Sequence, residues 1–234
     1  MKLILFLLIP FFVFSQTYVH NIPCTDDAAS TVVTNNGTAA DWVASHNTED
    51  ITSGGTMFAL NTNGEYIKSA VNWTAEKFTA SWTVDLIWDP ALSEEIHLNI
   101  GNGDQIMEVN EFQLYRTATS DEWIIKAFGA SGSAQTKTTT DFSGDTSPHN
   151  YILIVDASVS PWDVSLSVDG ITLTWGAWDG SPAVAVFNSL IFFGTTSIFE
   201  PDCFVNALLI WETLEDSQGG YPIYKNYKIY GGYK

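Results

Sequence analysis

The clearest signal in the chain is an alternation of apolar and polar residues with a period of two. Phe78, Ala80, Trp82, Val84 and Leu86 alternate with Thr79, Ser81, Thr83 and Asp85. Successive strand side chains point to opposite faces, so this run predicts a strand with one buried face. Ile96, Leu98 and Ile100 alternate with Glu95, His97 and Asn99, and Phe112, Leu114 and Arg116 alternate with Glu111, Gln113 and Tyr115. Further strands are predicted over 123–128 (WIIKAF), 151–156 (YILIVD), 162–168 (WDVSLSV), 188–194 (NSLIFFG) and 204–211 (FVNALLIW). Asp169-Gly170 separates two alternating runs, which is the turn chemistry of a two-residue type I′ hairpin. The stretch 129–150 is small and polar and reads as a loop or a weak edge strand. Helical periodicity is nearly absent, and so many strands with turn signals between them predict an antiparallel β-sandwich or jelly roll.

The same parity sorts the tryptophans. Trp82 is in phase with Phe78 and Val84, and Trp162 with Val164 and Leu166, so both are expected in the core. Trp123 and Trp211 lie in runs that are apolar on both faces, Trp88 marks a strand end, and Trp42 and Trp73 fall in irregular segments. In WGAWDG (175–180), Trp175 continues the phase of Ile171 and Leu173 and is expected in the core. Trp178 falls on the opposite phase, so the pair is not expected to form one platform. Trp178 and Asp179, at the start of a Gly-Ser-Pro loop, are candidate ligand contacts; the alternative for Trp178 is an anchor folded back onto the rim. Asp85, His97, Asn99, Gln113 and Tyr115 share the polar phase of their strands and are candidates for one open, ligand-binding face.

Composition narrows the partners. The formal net charge of −18, with nine Lys and Arg against 27 Asp and Glu, argues against nucleic acid, since phosphate binding needs clustered cations. Residues 1–15, MKLILFLLIPFFVFS, read as a secretory signal peptide cut before Gln16, too short to span a bilayer; no later stretch is long enough either. That leaves one domain, 16–218, followed by a Tyr/Lys/Gly-rich extension, 219–234, that could dock on a surface protein. Two cysteines in an exported chain read first as a disulfide. A Cys24–Cys203 bridge would close a loop long enough to contribute about 5 kcal/mol in the chain-entropy model.

Four segments, in order, resemble the concanavalin A-like superfamily, and within it the laminin G-like or pentraxin-like branch: ALNTNGEYIKS (59–69), FTASWTVDLIW (78–88), HNYILIVDASVSPWDVSLSVDGITL (149–173) and FVNALLIWETL (204–214). The resemblance covers about residues 55–215 and implies an all-β jelly-roll sandwich that binds a polysaccharide or glycan. It also implies a structural calcium, for which Asp26, Asp27 and Asn206 are the candidate ligands. Relatives often carry aspartate at the position of Asn206, and the alternative is that Asp26 and Asp27 are solvated carboxylates.

Catalysis finds less support. The glucanase branch of the superfamily sets two glutamates on one strand face in an ExDxxE or ExDxE pattern, and retaining chemistry needs its carboxyls about 5–5.5 Å apart. No such triplet occurs: Glu94 and Glu95 are adjacent, and Glu212 and Glu215 have the wrong parity. A lyase would want a Tyr/His pair such as Tyr115 and His97, with Arg or Asn to neutralise a uronate; the chain's one arginine, Arg116, falls on the opposite phase from Tyr115. The expectation is therefore an exported, non-catalytic carbohydrate-binding or adhesion module at the cell surface or secreted. A lyase or hydrolase on the same fold and a structural surface protein are the alternatives.

Overall fold

The computed structural model describes residues 18–23, 31–45, 58–60, 66–86, 95–103, 106–117, 122–140, 149–194 and 203–212, apart from the side chains of 58–60, 84–86, 95–96 and 203–207. The described residues form strands and no helix. In chain order these are β1 (His20–Ile22), β2 (Val32–Val33), β3 (Trp42–Ala44), β4 (Phe58–Leu60), β5 (Tyr66–Ser69), β6 (Trp73–Ala75), β7 (Lys77–Leu86) and β8 (Glu95–Gly101). They continue with β9 (Glu111–Arg116), β10 (Trp123–Phe128), β11 (Gln135–Thr139), β12 (His149–Asp156), β13 (Asp163–Val168), β14 (Ile171–Thr172), β15 (Phe187–Gly194) and β16 (Cys203–Trp211).

The strands make two antiparallel sheets. The smaller runs β1-β16-β7-β12-β13-β14, with β4 also on β16; the larger runs β11-β10-β9-β8-β15-β5-β3-β2, with β6 also on β15. Phe78, Ala80 and Trp82 of β7, Leu153 and Val155 of β12, and Val164 and Leu166 of β13 face Leu98, Ile100, Phe112, Leu114 and Ile125 of the larger sheet in one buried cluster. This is the antiparallel sandwich the period-two pattern demands. Trp82 and Trp162 are core residues, as their phase predicts, and Trp82 stacks on Tyr151 at 5.5 Å and 7°. Trp123, Trp42 and Trp73 are buried as well.

Asp169 and Gly170 adopt φ of 50° and 82°, and Val168 pairs with Ile171 across them. Positive φ at both central residues makes this the type I′ hairpin turn. The Asp169 carboxylate holds it, accepting the Asn150 backbone N–H at 2.9 Å and meeting His149 Nδ1 at 2.6 Å. Burial pushes the Asp169 carboxyl upward, but these bonds outweigh it and leave the group below the usual carboxylate range. The polar stretch 129–150 does contain an edge strand, β11, paired with β10 from Trp123↔Thr139 to Ala127↔Gln135.

Two expectations of parity fail, for identifiable reasons. The β8–β9 register slips between Ile96 and Leu98, so Ile96 opposes Tyr115 while Leu98 opposes Leu114. A bulge inserts one residue on one strand and re-aims the side chains. His97 therefore points inward, fully buried, with its ring 4.9 Å from Trp123 and 6.2 Å from Phe193. The second failure is at the hairpin's far arm. β14 ends at Thr172, so the phase that places Trp175 in the core no longer applies three residues later.

Candidate functional site

The five residues expected on one open face do not assemble there. Asp85 belongs to β7 of the smaller sheet, and its side chain lies outside the described residues. His97 is in the core. Asn99, Gln113 and Tyr115 do share the outer face of the larger sheet, with Asn99 directly opposite Gln113. That face is closed at its centre: the three are 0, 2 and 9% exposed. The segment after β8 folds back over it. The Glu111 carboxylate accepts the backbone N–H of Glu108 at 2.6 Å and of Asn102 at 3.2 Å. Gly103 presses so closely on Phe192, the cross-strand neighbour of Asn99, that a Cβ there would stand 2.5 Å from the ring. The bulge that buries His97 also separates it from Tyr115, so the Tyr/His pair a lyase would use is not on one face.

The arrangement that remains open is at the rim, around Trp175 and Trp178. After Leu173, whose N–H still donates to Leu166 O at 2.9 Å, the chain leaves the smaller sheet and crosses to the free edge of β11. The Gly176 N–H donates to Thr138 O at 2.9 Å, and the Asp179 N–H donates to Thr136 O at 3.0 Å. Asp179 is exposed, and its carboxylate completes the junction by accepting the Thr136 backbone N–H at 2.7 Å and the Thr136 hydroxyl at 2.8 Å. Alternate backbone groups of β11 are thus satisfied by WGAWDG, which protects an edge that would otherwise be open to pairing. On the other side, the indole N–H of Trp178 donates to Trp162 O at 3.2 Å, at the entry to β13. The segment spans from the edge of one sheet to the edge of the other.

Both tryptophans are half-buried and pack on the core from outside. They converge on one lysine. Lys137 shares its strand face with core-facing positions, being the partner of Ile125. Its ammonium lies 5.2 Å from the Trp178 ring centre and 5.8 Å from that of Trp175, within reach of the ring quadrupoles. Trp175 and Trp178, of opposite strand phase, thus flank the same ammonium, and Trp175 is half-buried where its phase places it in the core. Trp178 is held as a rim anchor while keeping part of its indole in solvent. The signal for Lys137 was weak: one cation within a stretch of Gly, Ser, Thr and Ala.

Among the described residues no group of three or more His, Cys, Asp or Glu side chains could hold a metal. Asp26, Asp27 and Cys24, and the side chains of Asn206 and Cys203, lie outside the described residues, as do residues 1–17 and 219–234.

The class the architecture defines is an antiparallel β-sandwich, and solved structures share it. The carbohydrate-binding module CBM40 of a Ruminococcus gnavus IT-sialidase aligns with a TM-score of 0.51 at 10% identity, over 69% of this chain and 92% of the module. The same module has been solved bound to α2,3-sialyllactose. Trypanosoma rangeli sialidase aligns with a TM-score of 0.57 at 14% identity, over 86% of this chain but 31% of the enzyme. The binding domain of botulinum neurotoxin serotype C1 gives 0.54 at 11% identity, over 86% of this chain and 50% of that one. At such identities the likeness is one of fold. No protein-family model and no curated sequence matches the chain.

Proposed function

We propose that this protein is an exported, non-catalytic carbohydrate-binding module of the laminin G-like type, and that its glycan contacts are at the rim around Trp175 and Trp178. The observation that carries this reading is the pair of half-exposed indoles fixed by backbone pairing to β11 and by the Trp178–Trp162 bond. Sugars present flat C–H faces that stack on aromatic rings, and a ring held in place costs little conformational entropy when it binds. The outer face of the larger sheet, with Asn99, Gln113 and Tyr115 buried, offers a ligand much less access. Fold likeness to a carbohydrate-binding module that it nearly spans supports the same class. Export is proposed from the leader sequence.

A glycan array probed with the mature chain tests the reading, with and without a calcium chelator to read any contribution of Asp26, Asp27 and Asn206. Binding to a defined glycan is expected, weakened at least ~10-fold by Trp178→Ala. Release of unsaturated or reducing ends from a polysaccharide panel would overturn the non-catalytic part. Undiminished glycan binding by Trp178→Ala would remove the rim from the site.

A further inference from the structure

We infer that the rim selects a carboxylated sugar, with the Lys137 ammonium taking the carboxylate while the indoles of Trp175 and Trp178 take the ring. The inference rests on the glycan-binding reading above and gives it a substrate class.

Three features of the rim point to an anion. Lys137 is half-buried, and among the described residues no carboxylate or carbonyl bonds its ammonium; its neighbours are the two indole faces. By contrast Lys77, on the other sheet, is paired with Asp156 at 2.8 Å. The carboxylate of the indole-bearing segment itself, Asp179, has both oxygens on Thr136. Removal from water lowers the Lys137 pKa, with Asp163 pulling it partly back, so the cation is under-solvated as it stands.

A cation in that state gains most from a charge-assisted hydrogen bond, which is about twice as strong as a neutral one. The chain as a whole is strongly acidic and repels anions at long range. A single ammonium whose charge Asp163 already partly offsets suits a singly charged group better than a doubly charged one. A carboxylate on a pyranose, with its C–H face free to stack, meets both demands; a phosphate monoester does not.

Matched pairs of probes test this. Binding of tetragalacturonate is compared with its methyl ester, and 3′-sialyllactose with its methyl ester, by tryptophan fluorescence and calorimetry on the wild-type chain, Lys137→Met and Lys137→Arg. The two pairs separate a plant-type uronate from an animal-type sialate as the source of the carboxylate. The expected result is that one acid binds roughly 10-fold or more tightly than its neutral partner. Lys137→Met should lower affinity for the acid more than for its neutral partner and so erase the preference, and Lys137→Arg should keep it. Equal affinity of acid and neutral forms for the wild-type chain would overturn the inference while leaving the glycan reading intact. So would an equal loss for both forms in Lys137→Met, which would make the lysine a packing element. If the array and all four probes show no binding, the glycan reading falls and the inference with it.

Discussion

His20 is predicted to set the acid limit of the fold. It is 1% exposed, and its Nδ1 accepts the indole N–H of Trp42 at 2.9 Å. That bond puts the ring proton on Nε2, where the described residues supply no acceptor. The rings of Trp42 and Trp73 stand edge-on at 5.3 and 6.2 Å. Protonation would place a charge among these rings and turn the acceptor of the Trp42 bond into a donor. Burial accordingly lowers the His20 pKa from 6.5 to about 4. In the unfolded chain His20 takes up its proton near pH 6.5, while in the native state it stays neutral until about pH 4. Its contribution is therefore fully present above 6.5 and is lost as the pH falls toward 4, where it amounts to about 3 kcal/mol.

The comparison that isolates this is wild type against His20→Gln, whose amide oxygen can still accept the Trp42 N–H and does not titrate. At pH 7.5 the variant should be ~1–2 kcal/mol less stable from altered packing. At pH 4 wild type should have lost about 3 kcal/mol that the variant keeps, so the order of stability reverses. Asp156 and Asp169 are common to both proteins, and their lost stability cancels in the difference. Urea unfolding followed by tryptophan fluorescence at the two pH values reads the effect. Parallel losses in both proteins would refute the assignment of a neutral, buried His20.

Gly129→Ala should cost on the order of 2–3 kcal/mol, because its Cβ would fall 2.1 Å from Ala183 O, and backbone cannot yield as a side chain can. The displaced carbonyl also accepts the Trp162 indole N–H at 2.6 Å, so a melting curve and near-UV dichroism should change together; an unaltered melting temperature would contradict the packing. Asp179→Ala removes two bonds to Thr136 and should lower stability by ~1–2 kcal/mol. The loss should show locally as faster hydrogen exchange at the Thr136 amide, and unchanged exchange there would mean that Asp179 does not fasten the rim segment.

How far the chain could be read from its sequence depended on whether each stretch stayed a regular strand. β7, β9, β10, β12 and β13 are long enough for a period of two to show and unbroken enough for it to hold, and their core residues follow it. β1, β2 and β3 are two or three residues long, too short to carry a period, so Trp42 could not be assigned although it is fully buried. The candidate site lay where the rule has no purchase. A bulge costs one residue and leaves no mark in the alternation of β8, yet it turned His97 from the outer face to the core. Beyond Thr172, Trp175 and Trp178 are placed by hydrogen bonds to a different sheet, formed with β11 residues some forty positions earlier. Residues of opposite strand phase can then meet on one side chain, here Lys137. A tryptophan pair in a non-repetitive segment should thus be located by asking which unpaired sheet edge its backbone can satisfy. The free edge of β11 satisfies the backbone of WGAWDG, and both indoles end beside the lysine on that strand.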